Sequence, residues 1–259
     1  MKFFKYFSVF AIMIFSFYYT DKIANFLLEK NQLYVEINSK KDDYKIESVS
    51  AIIDGNFIIP GIEGVSVNTK ESYFNMLGIE KFNKYYLVYS KVSPEISIEN
   101  NKDKIIKNGN RNKSAISFII EDEIIASYFK RKDIKVDYLV TEETFNKDNF
   151  FEQINNDTVN YKKVESLLNK NNLNKHICII NKDNEELCRK NKSYLIKPNI
   201  ILNNINFLEV KNKITKGDIV HVKGLSSIEN LNLLINTIKY KDLSIVTLSI
   251  LIDEDRNIN

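Results

Sequence analysis

Tryptophan is missing from this sequence, and glycine, proline, cysteine and histidine are scarce: seven, three, two and two in 259 residues. Each shortage excludes something. The two cysteines, Cys178 and Cys188, stand ten apart. They fit neither a zinc pattern nor a CxxC redox pair, and leave open one disulfide or two separate buried thiols. Neither GxGxxG nor GxxxxGK[ST] occurs, so no nucleotide is implied. Charge of one sign is lacking too. A net +3 gives no general attraction to nucleic acid. Isoleucine and lysine recur everywhere, which weakens arguments from propensity alone.

Long charge-free apolar runs are also few. One spans 6–19, preceded by Lys2 and Lys5. Its length suits a signal-peptide core and is short for a spanning helix. Tyr18 and Tyr19 suit a membrane interface, and no small-x-small cleavage site follows. The expectation is an uncleaved signal-anchor over 1–20. The basic residues before the run place the N-terminus inside and the bulk of the chain outside a cell membrane crossed once.

After it, 21–44 keeps a helical rhythm through Ile23, Phe26, Leu27, Leu33, Tyr34 and Ile37. That fits a membrane-proximal stalk or a helix packed on its own domain equally well. Residues 45–108 read as a small α+β subdomain. Asp54-Gly55-Asn56 is a hairpin signal between two β-type runs. Asn68 or Thr69 can cap a helix with Glu71 in its first turn. The NGNRN stretch at 108–112 has no apolar residue, so an exposed join between domains is expected there.

The stretch 113–141 organises the rest. Residues 115–120 and 136–140 are short apolar runs rich in β-branched residues. Between them 121–132 carries Ile124, Ile125, Tyr128 and Phe129 as a helical stripe. Two such strands around one amphipathic helix predict a βαβ unit with parallel strands. A loose acidic loop follows at 142–157, then helices at 160–171 and 185–190 and strands at 176–180 and 194–201, the latter broken by Pro198. Gly217 and Gly224 bound a strand, Ser226 or Ser227 caps the last helix, and 243–251 reads as the last strand. Alternation of this kind predicts an α/β fold, with a distorted or incomplete (β/α) barrel over 113–259.

KSAISFII, a helix and IKVDYLVT, then GDIVHVKG and a closing TLSILI, resemble NodB-type polysaccharide deacetylases. There the first strand ends in TFDD and the chain closes with a GxIILxH strand and a phrase like FVTLSELL. The segment IIPGIEGVSVNTKESYFNM is similar to the extension on membrane-anchored members from low-GC Gram-positive bacteria. The resemblance implies a zinc ion held by one aspartate and an HxxxH pair, which polarises an acetyl carbonyl and activates water. A second aspartate would act as base and a late histidine as acid.

This sequence departs from that pattern at every position that can be aligned. TFDD falls on Ile119 and Ile120, the late histidine falls on Lys223, and HxxxH does not occur. Arg189 stands near the start of a third motif whose RxPY never arrives. The remaining candidates are Glu121, Asp122, His221 and Lys223. The helix dipole assigns Glu121 to a helix start. The expected product is a fold that keeps a cleft near Ile120, His221 and Lys223 but holds no catalytic zinc.

The leading expectation is thus an extracytoplasmic, membrane-anchored, deacetylase-like protein that binds cell-envelope glycan without metal-dependent catalysis. Two alternatives stand beside it: an active zinc N-deacetylase using Glu121, Asp122 and His221, and a surface module that contacts envelope proteins instead. No aromatic-rich carbohydrate platform is visible. No cofactor is expected under the first reading.

Overall fold

The computed structural model describes residues 2–147, 150–225 and 227–256, with the backbone alone at 2–5, 8, 9, 11 and 21. In chain order the elements are α1 (Lys2–Glu29), α2 (Gln32–Lys40), β1 (Ile52–Asp54), β2 (Phe57–Ile59), β3 (Gly64–Val67), α3 (Thr69–Met76), β4 (Tyr89–Val92), β5 (Ile105–Ile106), β6 (Ala115–Ile120) and α4 (Glu123–Arg131). There follow β7 (Asp137–Val140), β8 (Glu152–Asn155), α5 (Tyr161–Lys170), β9 (Ile177–Ile179), α6 (Glu185–Lys190), β10 (Tyr194–Ile196), β11 (Ile200–Leu202), α7 (Phe207–Lys213), β12 (Ile219–Val222), α8 (Ile228–Tyr240), β13 (Ser244–Ile245) and α9 (Leu248–Ile252). They divide into two compact units. One takes Met1–Glu47 and Gly64–Val92, the other Ser48–Glu63 and Ser93–Asn259.

In the larger unit the predicted βαβ stretch is the centre. β6 is buried along its whole length and pairs in parallel with β7 on one side and β12 on the other. Asp122 caps α4 by accepting from the Ile124 and Ile125 amides, which fixes where the helix starts. Ile125, Ala126, Tyr128 and Phe129 face the core, whereas Ile124 points to solvent. The six-stranded sheet runs β11-β12-β6-β7-β8, with β13 beside the start of β6. A second sheet runs β1-β2-β5-β10-β9. Pro198 stands between β10 and β11, where the chain leaves one sheet for the other; a residue that cannot donate to a ladder suits that place.

Side-chain alternation sends Phe118 and Ile120 to the helix-covered face and Ala115 and Ile119 to the opposite one. There Ile119 belongs to the same core cluster as Ile58, Ile106 and Ile196 of the second sheet. The result is a mixed α/β fold with two sheets sharing one apolar interior.

Three expectations about organisation change. Residues 45–108 are not a separate subdomain. The 52–59 hairpin, with its predicted Asp54-Gly55-Asn56 turn, and β5 join the sheet of the larger unit through β10. The 108–112 stretch is not an exposed join either. Asn110 is fully buried, donating to the Gly61 and Asp253 carbonyls at 2.6 and 3.2 Å and accepting from the Asn112 amide. A side chain at Gly109 would place its Cβ 2.3 Å from Leu251 Cγ. Polar composition suggested a linker, but these polar groups bind backbone. Asn110→Ala should therefore cost roughly 2–3 kcal/mol in urea unfolding by stranding buried carbonyls, and limited proteolysis should not cut first at 108–112.

Third, the 243–251 run is a strand only at Ser244–Ile245. It turns into α9 because the Asp137 carboxylate accepts from the Leu248 amide and Glu152 from that of Ser249. β8 itself lies within the segment read as a loose loop.

In the smaller unit, Asn31 caps α2, and Leu33 and Ile37 pack with Val67, Tyr73, Met76 and Leu87. So the 21–44 region is no free stalk: part of it builds this core. Asn68 caps α3, accepting from Glu71. Ser227 caps α8, and Ser226 lies outside the described residues. Among the described residues no helix is long and apolar enough to cross a membrane. The expected spanning run at 6–19 lies within α1, where Phe7, Phe10, Ile12, Phe15 and Phe17 are exposed.

Candidate functional site

Catalytic and binding groups of parallel α/β folds collect at the carboxyl ends of the strands. In register, Ile219, Val220 and His221 of β12 stand beside Ser117, Phe118 and Ile119 of β6. Strand parity therefore carries Glu121, just past β6, to the same side as His221 and Lys223. Glu121 Oε1 lies 3.7 Å from His221 Nε2 and 3.9 Å from Lys223 Nζ. Three of the four candidate residues thus converge.

Asp122 does not join them; its carboxylate is spent on the α4 amides at 2.8 and 3.0 Å. That exchanges two expected roles. Asp122, not Glu121, serves the helix start. Ile119 and Ile120 are wholly buried on opposite faces of the sheet, so neither lines a cleft. Ile120 therefore lines no cleft, and the residues that meet at these strand ends are the polar trio.

His221 is 6% exposed, and its Nε2 is buried with no hydrogen-bond partner among the described residues. Burial, and secondarily the Lys223 ammonium, push its pKa down to about 4, so it is neutral near pH 7. Glu121 is too far for a hydrogen bond and too solvated to reverse this. The sign for stability follows. The unfolded imidazole takes up a proton near pH 6.5 and the folded one only near 4. Stability is then full above pH 6.5 and lost as pH falls toward 4, by about 3 kcal/mol. His221→Leu should flatten the thermal midpoint of the chain over that window relative to the unsubstituted protein.

The donor set does not fit a catalytic zinc. A buried isoleucine pair donates nothing, and an ammonium 3.9 Å from Glu121 repels a cation. Among the described residues no group of three His, Cys, Asp or Glu side chains could hold a metal ion. His176 stands just before β9, in the other sheet. Arg189 is engaged by Glu185 and the Asp103 carbonyl, which makes it part of the α6 surface. Cys178 and Cys188, both buried, are joined as a disulfide with Cα atoms 6.0 Å apart.

One polar cluster escaped the sequence reading. Asp137, fully buried, accepts from Ser117 Oγ at 2.5 Å and from the Leu248 amide at 3.0 Å, beside Glu152 and Ser249. The signal was an aspartate inside the apolar run 136–140.

No protein-family model matches the chain. It is 36% identical over 92 residues to the protein YlxY of Bacillus subtilis (strain 168), which covers 35% of this chain and 29% of that one. The chain thus spans under a third of the length of that relative. Among solved structures, wild-type BA3943 from Bacillus anthracis, described as a CE4 family pseudoenzyme, aligns with a TM-score of 0.57 at 20% identity. That alignment covers 88% of this chain and 97% of the other. A mutant of BA3943 described as having restored enzymatic activity aligns with a TM-score of 0.55 at 20% identity, over 87% and 99%. At such identity the likeness speaks for fold, and the fold of this chain is that of the CE4 family, the NodB-like polysaccharide deacetylases which its strand order resembles.

Proposed function

We propose that this protein is a deacetylase-like pseudoenzyme that binds cell-envelope glycan outside the membrane and performs no metal-dependent hydrolysis. The observation that carries the reading is the trio at the strand ends. Glu121 offers acceptors and Lys223 donors beside the buried, neutral His221, with no net charge overall. Such a set suits the hydroxyl and acetamido groups of an uncharged sugar. The CE4 pseudoenzyme BA3943 supports it as a precedent for this fold without activity.

Two features support the location. α1 exposes Tyr6, Phe7, Phe10, Ile12, Phe15 and Phe17, which a bilayer would cover at low cost, and the basic residues that precede this run in the sequence favour an inner N-terminus. The Cys178–Cys188 disulfide suits an oxidising compartment. Protease shaving of intact cells tests this: loss of the 21–259 portion is expected, and full protection would contradict it.

Binding is tested by calorimetry with acetylated chitooligosaccharide and peptidoglycan fragments. Glu121→Gln and Lys223→Ala should each weaken binding about tenfold, the worth of one charge-assisted hydrogen bond. Unchanged affinity in both variants would remove the trio from the site.

A further inference from the structure

In the register row that runs through Ile119 from His221, on the far side of β6 from the trio, two carboxyl groups stand side by side. Asp137 opens β7 and Glu152 opens β8, as register partners. Both reach the start of α9, where they accept from the successive amides of Leu248 and Ser249. Two carboxylates have no proton to donate, so a bond between neighbours of this kind requires one proton. Asp137 accepts from the Leu248 amide at 3.0 Å through each oxygen, and Glu152 accepts from the Ser249 amide at 3.0 Å and from the Ser249 hydroxyl.

We propose that Asp137 and Glu152 share a single proton and form a pH-sensitive latch on α9. While the proton is held, the latch fastens the start of the helix to β7 and β8. When it is lost, two negative charges stand side by side in the sheet interior and the helix start loosens.

The surroundings favour this reading. Asp137 is fully buried, and burial together with the neighbouring Glu152 raises its pKa well above the carboxylate range. β6 presents only the Ser117 hydroxyl. On β12, Asp218 turns away to Asn199 and the Thr215 amide. α9 carries no charge between Leu248 and Ile252. Lys113 donates to its Ile250 carbonyl, and Asp253 and Glu254 follow it. Glu152 and Ser249 open onto a cavity of about 940 Å³, rimmed by Asp133, Lys135, Lys175 and Lys239, which gives the proton a route to solvent.

Release would travel beyond the helix. Leu248, Leu251 and Ile252 belong to the interior core, and Glu254 holds the Gly61 and Ile98 amides at 2.9 and 3.0 Å. Loosening α9 therefore loosens the seam where the 52–59 hairpin joins the larger unit.

The sign is opposite to that of His221. A carboxyl whose folded pKa is raised binds its proton more tightly when folded, so stability falls as pH rises through the folded value. Amide exchange of 248–252 in the full chain measures this, expressed as protection between about pH 5 and 9, the range where buried carboxyls titrate. Protection should drop at least about tenfold in the unsubstituted protein, one pKa unit of linkage. It should stay level in Asp137→Asn, whose amide replaces the proton permanently. Glu152→Gln should behave likewise and serves if Asp137→Asn does not fold. An infrared band of a protonated carboxyl, present at neutral pH and lost in either variant, is the second readout. Parallel exchange profiles in all three proteins, or no such band, would overturn the latch.

Discussion

Replacing Ile119 and Ile120 with aspartate, the residues that the resembled family carries there, is expected to unfold the larger unit and to release no acetate. Both side chains are fully buried, Ile120 against Phe118, Phe129 and the α8 stripe, Ile119 between the two sheets. Each change removes a buried aliphatic group and asks an apolar core to hold a carboxyl with no partner. That costs roughly 4 kcal/mol or more per site, against a typical total of about 5–15 kcal/mol. The double variant should lose its cooperative urea transition, and Ile119→Val and Ile120→Val should keep it. A double variant that melts within a few degrees of the parent and hydrolyses acetylated chitooligosaccharide would show that the core tolerates the family's pair.

Gly61→Ala is expected to be the most damaging single-methyl change. A Cβ at Gly61 would stand 2.1 Å from the Val49 carbonyl oxygen, 2.7 Å from the Ala51 nitrogen and 2.9 Å from the Ser50 carbonyl carbon. These are backbone atoms and cannot rotate away. The same residue donates to Glu254 at 2.9 Å and accepts from Asn110 at 2.6 Å. A shift to relieve the clash would break the bridge between Val49 and Ile62 and strain both bonds. The loss should be about 3 kcal/mol, the upper end of overpacking costs. Gly78→Ala, where nothing lies within 4 Å, serves as control and should stay within about 0.5 kcal/mol of the parent. Equal midpoints for the two variants would contradict the close approach.

What could be read in the sequence was periodic. The βαβ stretch at 113–141, the hairpin turn at Asp54-Gly55-Asn56 and the caps at Asn68 and Ser227 rest on local rules, and the structure shows each. Failures came where distant groups decide local structure. β8 reads as a polar loop because Gln153 and Asn155 are buried yet satisfied by the Asn146 and Tyr161 carbonyls. LSILI reads as a strand, but carboxyls from β7 and β8 turn it into a helix start. NGNRN reads as a linker, and Asn110 instead ties three segments together. At the candidate site, parity on β12 foretold that His221 and Lys223 share a side. Nothing local told Glu121 from Asp122. The structure separates them, since Asp122 faces the α4 amides and Glu121 faces β12.

Zinc titration of the protein by calorimetry, run beside an acetate-release assay on acetylated chitooligosaccharide and peptidoglycan, bears most directly on a CE4 fold without its catalytic metal set. With isoleucine at 119 and 120, one buried neutral histidine and an ammonium beside Glu121, no stoichiometric zinc binding and no acetate are expected. Micromolar or tighter zinc binding at one per chain, abolished by His221→Ala and accompanied by acetate release, would contradict it and make Glu121 and His221 active-site residues.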